Sequence, residues 1–400
     1  RSLPCSTYLL TTIHTAAHNR ELMALIKNVG KAVLGLAVLI GSIGKFAPHL
    51  FFDLPFPFSV ILWVTTGHPM PMYFMPDAWK EDEIDSWMKD GDLVVATGVK
   101  SGTTFMLYCT HQIRTKGTDL DDELFPDVSL ATPWMDLKQS RTGSWAEQKD
   151  RYNDTVLSNG RKLKEYWDNP AFPFRIFKSH YAPPELPVRK KGGKKIKYLA
   201  MARNGLDVAA SMTNFYSSHT DKFRKVWGGF PPDISGEDHA ADEPPAAVKD
   251  MLPTGPMAEV YFGYVKKWWA FRNDPNVLYM HYADVRKDLK GHVSKIAKFL
   301  EVDLNQNELD VVTKRCGIEH MKTLPDKFGY KMPLNLDKPG LWDSEKDVIV
   351  KTGAMVNTGE VGKGKAKFHP KVVEQWRKAE EDMLGDDPDL LNWARNGGKY

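Results

Sequence analysis

The segment Thr97-Gly-Val-Lys-Ser-Gly-Thr-Thr104 joins an apolar run, residues 93–97, to a stretch with apolar residues at helical spacing, residues 103–114. The run predicts a buried strand and the stretch predicts an α-helix. Backbone N–H groups at the start of a helix bind phosphate, and the helix dipole adds to the attraction. Gly102 allows a ligand to approach closely and Lys100 adds a cation, so the segment predicts a phosphate-binding loop.

The order of residues in this loop differs from that of a Walker A loop, in which lysine follows the second glycine. Here Lys100 precedes Gly102. The hydroxyl groups of Ser101, Thr103 and Thr104 are further donors for a phosphate. Taken alone, the segment is also compatible with an ordinary Ser/Thr cap of a helix.

Beyond this loop, strand-like and helix-like patterns alternate along the chain. We predict strands at residues 175–180, 196–202 and 277–281, and helices at residues 206–216, 259–272, 285–300 and 369–384. This alternation indicates an α/β fold with a parallel sheet covered on both faces. Residues 217–258 predict a long mobile loop, and residues 359–365 predict a flexible basic loop.

Two further polar segments follow predicted strands. Arg203-Asn-Gly-Leu-Asp-Val-Ala-Ala-Ser211 places an arginine at a strand end and a serine about two helical turns later, so both side chains can reach one phosphate. Phe177-Lys-Ser-His180 ends another strand, and histidine suits a general base because its pKa lies near neutral pH. Alone, Arg203 is equally compatible with a surface ion pair, and His180 with an ordinary core residue.

In their order and spacing these segments resemble the motifs of the cytosolic-type sulfotransferases, which use 3′-phosphoadenosine-5′-phosphosulfate (PAPS). The resemblance covers roughly residues 87–385. The similar motifs are YPKSGTTW at Gly98–Phe105, K-[ST]-H at Lys178–His180, RNxxDxxxS at Arg203–Ser211, VLYLxYEDM at Val277–Asp284 and RKGxxGxxK at Asn357–Lys365. The resemblance implies a central parallel sheet flanked by helices, like that of the P-loop kinases.

The resemblance also implies roles for individual residues. His180 is the implied general base, while Lys100 and Lys178 are the implied catalytic cations that neutralise charge on the transferring group. Phe105 and Tyr282 are the implied adenine contacts. The implied PAPS-binding residues are Ser101, Gly102, Thr103, Thr104, Phe105, Arg203, Ser211, Tyr282, Gly359, Gly362 and Lys365.

The chain departs from the family pattern at three positions. Asn357 and Thr358 stand where the family has an Arg-Lys pair, and Ile318 stands where it has an adenine-packing phenylalanine. These departures predict weaker PAPS binding or a reorganised loop, in which Lys363 partly replaces the missing charge.

The function implied is transfer of a sulfuryl group from PAPS to a hydroxyl or amine of a small molecule. Two alternatives stay open: an ATP-dependent phosphotransferase and a non-catalytic PAPS-binding protein. No metal is expected, because the lysines supply the positive charge. The aromatic residues Trp134, Phe172, Phe174, Tyr181 and Phe215 favour an apolar or aromatic acceptor, although core packing explains them equally well.

Composition adds limits on partners and location. A net charge of only +3 does not indicate a nucleic-acid-binding surface. Cys5, Cys109 and Cys316 are too far apart in sequence for a zinc or redox motif, which favours reduced thiols in a cytoplasmic protein. The sequence does not predict an oligomeric state.

We predict two regions: an apolar, proline-rich N-terminal extension at residues 1–85 and a single sulfotransferase domain at residues 86–400. Lys27, Lys31 and Lys45 are compatible with one polar face of a helix in the extension. A helix docked on the core is the favoured interpretation. Membrane association through an amphipathic helix, or a Golgi location, is the alternative.

Overall fold

The computed structural model describes residues 27–31, 35, 73–74, 79, 86–138, 144–189, 193–226, 234, 240–331, 342–343 and 345–400. Most of the predicted extension at residues 1–85, including Lys45, therefore lies outside the described residues. Within them, no helix combines the length and the apolar character needed to cross a membrane.

A parallel sheet forms the centre of the described chain. Its strands lie in the order β4-β2-β5-β6, and a separate antiparallel pair joins β1 to β3. The strands are β1 (Tyr73–Phe74), β2 (Leu93–Thr97), β3 (Leu137–Lys138), β4 (Ile176–Ser179), β5 (Lys197–Ala202) and β6 (Val277–His281). The predicted parallel sheet flanked by helices is confirmed.

The register of the sheet brings the polar segments together. Ala96 pairs with Ser179, and Thr97 pairs with Met201. Ala202 pairs in turn with His281. Because the strands are parallel, all four end at one side of the sheet, called here the carboxyl edge, and the residues that follow them meet there.

Helices cover both faces of the sheet. The α-helices are α1 (Thr103–Arg114), α2 (Val128–Ala131), α3 (Trp145–Asp154), α4 (Lys164–Trp167), α5 (Gly205–Ser217), α6 (Asp221–Val226), α7 (Ala246–Lys249), α8 (Tyr264–Trp269), α9 (Tyr282–Lys287), α10 (Leu289–Phe299), α11 (Gln306–Cys316), α12 (Ile318–Lys322), α13 (Lys363–Lys367), α14 (Pro370–Leu384) and α15 (Pro388–Asn396). A π-helix at Glu259–Gly263 leads into α8, and a 3-10 helix spans Pro325–Phe328.

Alternate residues of the central strands pack into two separate cores. Val94 and Ala96 belong to the cluster on one face, and Leu93 and Val95 belong to the cluster on the other. Successive side chains of a strand point to opposite faces, so a sheet buried on both sides needs an uninterrupted apolar run. This packing explains why residues 93–97 carry the strand signal so clearly.

Several predicted elements differ from those observed. The predicted loop at residues 217–258 contains α6 and α7, so that prediction was partly wrong. The predicted helix at residues 285–300 is two helices, because Asp288 caps the second of them by accepting a hydrogen bond from Gly291 N. The predicted basic loop at residues 359–365 ends in the first residues of α13, and α11 and α15 were not predicted.

Candidate active site

The loop between β2 and α1 opens at the carboxyl edge. Ser101 N donates to Gly98 O over 3.1 Å, and the loop then turns through Lys100 and Gly102, both with positive φ. No side chain caps α1 at Gly102. The first-turn N–H groups are therefore not taken by the Ser/Thr cap that the sequence also allowed, and they can serve an anion.

Gly102 is required by conformation and by space. Its φ is 98°, and a Cβ at this position would lie 2.9 Å from Met201 Cε and 3.0 Å from the Tyr282 ring. A side chain would therefore push apart the loop and the residue implied to contact adenine. The neighbouring hydroxyl groups are already engaged: Thr103 Oγ1 lies 2.5 Å from Thr97 Oγ1, and Thr104 Oγ1 lies 3.0 Å from the Tyr330 hydroxyl.

A cavity of about 570 Å³ opens at the carboxyl edge beside this loop. Most of the predicted site residues line it: Lys100, Gly102, Thr103, Thr104, Phe105, Lys178, His180, Arg203, Ser211, Tyr282 and Gly359. Three predicted residues, Ser101, Gly362 and Lys365, are not part of the lining. Ser101 is buried and its hydroxyl donates to Val99 O over 3.3 Å.

His180 is oriented by two backbone contacts. Its Nδ1 lies 2.9 Å from Thr97 O, and its backbone N–H donates to Asp136 Oδ2 over 2.5 Å. A carbonyl oxygen only accepts, so Nδ1 carries the proton and Nε2 carries a lone pair. Desolvation and the charges of Lys178 and Lys100 lower the pKa of His180 to about 3, which keeps the ring neutral.

Lys178 lies between two aromatic rings. Its Nζ is 3.2 Å from the Trp134 ring centroid and 4.1 Å from that of Tyr330. Burial lowers the pKa of Lys178 well below its ordinary value, and the charge of Asp136 opposes this change. The rings hold the amine in one place, and their faces favour its protonated form.

Asp136 is the functional residue that sequence reasoning missed. Its carboxylate accepts hydrogen bonds from Trp79 Nε1 at 2.9 Å, Ser179 Oγ at 2.7 Å, His180 N at 2.5 Å and Trp134 Nε1 at 3.2 Å. Burial raises the pKa of this carboxyl group, although all four donors oppose that effect. Three of these donors come from two segments far away in sequence, residue 79 and residues 179–180, so no local pattern could have identified it.

Lys100 extends into the cavity without a carboxylate partner among the described residues. Its Nζ lies 4.0 Å from the Phe215 ring centroid and 3.9 Å from Met355 Sδ. Burial, followed by the charges of Arg203 and Lys363, lowers its pKa to about 7. An amine held in these surroundings is poised to bind an anion.

Arg203 is buried beside Lys100 and is only partly satisfied. Its Nη2 donates to Glu360 O over 2.8 Å and lies 3.6 Å from Asp207 Oδ2. Its Nε has no hydrogen-bond partner in the part of the chain that the structure describes. Ser211 also lines the cavity. An orphaned guanidinium nitrogen beside two lysines fits a ligand with several anionic groups.

Asp207 attaches the loop at residues 359–365 to this site. Its two carboxylate oxygens accept from Gly362 N and Gly364 N, each over 2.8 Å. The attachment turns Lys363 toward the cavity lining, whereas Lys365 is exposed and lies outside it. The two lysines differ in position because α13 starts at Lys363 and places their side chains on different sides of the helix.

The other wall of the predicted nucleotide site is partly aromatic. The Tyr282 hydroxyl donates to Gly359 O over 3.4 Å, and the Arg203 guanidinium lies 4.6 Å from the Tyr282 ring centroid. Phe105 and Ile318 also line the cavity. Arg286, which the sequence did not single out, lines it too and donates from Nε to Gly359 O over 3.2 Å.

The described residues contain no group of three or more His, Cys, Asp or Glu side chains arranged to hold a metal ion. The charged groups at the cavity are instead mostly cationic. Their arrangement suits a substrate that brings its own negative charge.

Comparison with known proteins gives concordant results. The sequence model of one protein family, the sulfotransferase domain, matches residues 90–387. The amine sulfotransferase of Oryctolagus cuniculus is 26% identical over 312 residues, which cover 78% of this chain and 87% of that protein. Sulfotransferase 1A1 of Bos taurus is 27% identical over 263 residues, which cover 65% of this chain and 75% of the bovine protein.

A solved structure shares the fold. It is mouse sulfotransferase SULT7A1 complexed with PAP, with a TM-score of 0.53 and 19% sequence identity. The match covers 82% of this chain and 95% of the mouse chain.

Proposed function

Because this chain belongs to the sulfotransferase family and is a PAPS-dependent sulfotransferase, we propose that the carboxyl-edge cavity binds PAPS and a small apolar acceptor together. His180 is the general base of the transfer. Lys100 and Lys178 are the cations that stabilise charge during it. Arg203, Ser211 and Lys363 bind the 3′-phosphate.

The observation that carries this proposal is the contact between His180 Nδ1 and Thr97 O, at 2.9 Å. It leaves the Nε2 lone pair free to take a proton. In the transfer, His180 Nε2 accepts the proton of the acceptor hydroxyl or amine as that group attacks sulfur. The bond between sulfur and the phosphate oxygen breaks, and the products are 3′-phosphoadenosine-5′-phosphate (PAP) and a sulfated acceptor.

Positive charge is concentrated where the reaction needs it. Lys100 belongs to the loop that binds the 5′-phosphosulfate, so its amine can neutralise charge that develops on the leaving oxygen. Lys178 is fixed between Trp134 and Tyr330 and can neutralise the sulfuryl oxygens. Charges already in position stabilise a transition state without reorganisation, and this is usually the largest catalytic effect.

The nucleotide end of the site uses the remaining cations. Arg203 and Lys363 both line the cavity, and the Asp207 contacts hold Lys363 beside Arg203. Lys363 compensates for the arginine and lysine that Asn357 and Thr358 replace. Tyr282 and Phe105 sandwich the adenine, with Ile318 as a smaller apolar neighbour.

The acceptor end of the cavity is apolar. Met212, Phe215, Met257 and Tyr181 belong to its lining, together with Trp134 next to His180. These side chains favour an acceptor that has an apolar or aromatic body and one reacting hydroxyl or amine. The similarity to an amine sulfotransferase supports testing amines beside alcohols and phenols.

The domain division and the location are further proposals. Residues 86–400 form a single sulfotransferase domain in this proposal, in line with the family match at residues 90–387. The protein is cytoplasmic in this proposal. Cys109 and Cys316 are free and buried, as suits a reducing compartment.

The first experiment compares thermal unfolding with PAP, PAPS, ATP and no ligand. PAP and PAPS should raise the melting temperature of the wild type, because they bind only the folded state, whereas ATP should not. The variant with Lys100→Ala and Arg203→Ala should lose the shift. Stabilisation by ATP alone would support a phosphotransferase instead.

A second experiment separates catalysis from binding. Radiolabelled PAPS is incubated with a panel of phenols, alcohols and amines, with the wild type and with His180→Ala. Transfer by the wild type and its loss in His180→Ala, with the PAP shift retained, supports the proposal. A PAP shift without transfer to any acceptor would favour the non-catalytic alternative.

A further inference from the structure

A second histidine, His219, lies in the wall of the cavity and has no role in the chemistry above. It follows the end of α5 and is only 3% exposed. Backbone contacts on both sides fix its position: Thr220 N donates to Ile349 O over 3.0 Å, and Lys351 N donates to Ser218 O over 2.8 Å. The ring is therefore held in place against the cavity.

The hydrogen bond of the ring determines which nitrogen is free. His219 Nδ1 lies 2.9 Å from Phe215 O, and a carbonyl oxygen can only accept. The proton is therefore on Nδ1 and the lone pair is on Nε2. Burial lowers the pKa of His219 to about 4, and the charges of Arg224 and Lys100 act in the same direction, so the ring stays neutral.

The surroundings of the ring offer the lone pair no donor. The Phe215 ring centroid is 4.4 Å away, and the Phe223 ring stacks on the imidazole at 5.5 Å. Val350 pairs with His219 and is itself buried. Among the described residues Nε2 has no hydrogen-bond partner. The residue is largely buried and lines the cavity, so a bound ligand can supply the donor that this acceptor lacks.

We propose that His219 Nε2 accepts a hydrogen bond from a second donor group on the acceptor molecule. This inference rests on the proposed function and adds the class of substrate. The acceptor has an apolar body and a hydroxyl or amine that reacts at His180. Its second hydroxyl or N–H group lies within hydrogen-bond distance of His219 Nε2 when the first group is at His180. His219 is therefore a specificity residue, because its bond is the same before and during the transfer.

The two histidines differ in their neighbours, and this difference assigns their roles. His180 lies beside Lys178, and its backbone is held by Asp136. His219 packs against two phenylalanine rings, edge-to-face with Phe215 and stacked with Phe223. The charge of Lys100 acts on both rings, whereas that of Lys178, which a transferring sulfuryl group needs, acts on His180.

The test uses phenols that carry a linear chain at the para position, in matched sets of several lengths. In each set the chain ends in a hydroxyl, a methyl ether or a methyl group. An apolar wall alone would favour the methyl end. If His219 accepts a hydrogen bond from the chain end, kcat/KM for sulfation should be about tenfold higher for the hydroxyl-ended phenol than for the methyl-ended phenol at the best chain length. One hydrogen bond accounts for a difference of this size.

The variant His219→Phe should remove this preference and leave kcat for the methyl-ended phenol within about twofold of the wild type. His292→Phe is the matched control, because His292 Nδ1 also contacts a carbonyl oxygen, Asp288 O at 2.7 Å, but the residue is not part of the cavity lining. It should keep the preference. His219→Gln, whose amide oxygen can accept, should retain part of it and serves as the reporter if His219→Phe does not fold.

Other outcomes would overturn the inference. If the wild type shows no preference for the hydroxyl end at any chain length, or if His219→Phe keeps the preference, His219 does not accept a hydrogen bond from the acceptor molecule. If His219→Phe lowers kcat for every acceptor while it still binds PAP, the residue takes part in the chemistry instead. Failure of the proposed function itself gives a different result from failure of this inference, because the wild type would then sulfate no phenol of any set.

Discussion

His180 Nδ1 lies 2.9 Å from Thr97 O, so the candidate base is attached to the last residue of the strand that leads into the phosphate-binding loop. The end of strand β2 thereby positions both the His180 imidazole and the phosphate-binding loop. The loop starts at Gly98, and the imidazole follows the neighbouring strand β4. This relationship sets the tautomer of the base and its position relative to the bound cosubstrate at the same time.

Removal of the base should abolish turnover while cosubstrate binding persists. His180→Ala should lower kcat by about 10²- to 10⁴-fold, the usual contribution of a general base. Calorimetric titration with PAP should give a dissociation constant close to that of the wild type. Equal activity of the variant and the wild type over pH 6–9 would exclude His180 as the base.

Asp136 should act on catalysis through its neighbours. Asp136→Asn keeps the shape but replaces one carboxylate oxygen by an NH2 group, which cannot accept. At Oδ1 this group would face the donors Trp79 Nε1 and Ser179 Oγ, and at Oδ2 it would face His180 N and Trp134 Nε1. We expect a lower kcat with little change in the KM for PAPS, measured by initial rates. Trp79→Phe removes only one outer donor of Asp136 and is the control. A kcat unchanged in Asp136→Asn would show that the carboxylate does not position the base.

Binding of PAP should be coupled to proton uptake. The pKa of Lys100 is lowered to about 7 in the free protein, and a bound anion favours the protonated amine and raises that pKa. At pH 8 most free protein therefore has a neutral Lys100, which becomes charged in the complex. Affinity should fall as pH rises above 7.

Calorimetry at pH 8 in buffers of different ionisation enthalpy measures this uptake. Lys100→Arg should reduce it, because arginine is charged in both states. Any uptake that remains in this variant is assigned to the other two amines with lowered pKa values at the cavity, Lys178 and Lys363. Binding heats that do not depend on the buffer in the wild type would contradict the prediction.

Lys363 and Lys365 should contribute unequally to nucleotide binding. Lys363 is half-buried and lines the cavity, whereas Lys365 is exposed and outside it. Lys363→Ala should weaken PAP binding about tenfold or more, the size expected for one charge-assisted hydrogen bond, with little change for AMP. Lys365→Ala is the matched control and should bind both nucleotides almost normally. The reverse order would restore the role first assigned to Lys365.

Asp207 should stabilise both the fold and the nucleotide site. Asp207→Ala leaves the N–H groups of Gly362 and Gly364 without an acceptor and removes the anion next to Arg203. We expect a loss of about 2 kcal/mol or more in the free energy of unfolding, measured in urea, and weaker PAP binding. Asp207→Asn retains one acceptor oxygen, so its free energy of unfolding should lie between those of the wild type and Asp207→Ala. Stability unchanged in both variants would mean that water replaces these bonds.

The sequence by itself determined the elements with strong local signals. The strand at residues 93–97, the helix at residues 103–114 and the strand at residues 277–281 were predicted with the observed bounds, because apolar period and turn residues are local properties. The motif order also predicted His180, Arg203 and the phosphate-binding loop as site residues, and the structure places them around one cavity. Elements whose limits depend on caps or distant packing, such as the break at Asp288, were less well predicted.

Only the tertiary structure decided which side chains share the site and in which state. The parallel register brings four strand ends together, and so gives His180 its fixed tautomer and Lys100 its lowered pKa. Asp136 and His219 carried no motif, yet folding surrounds both with the cavity wall. The reason is physical: burial, charge and hydrogen-bond partners arise from residues far apart along the chain, and a one-dimensional pattern does not contain those distances.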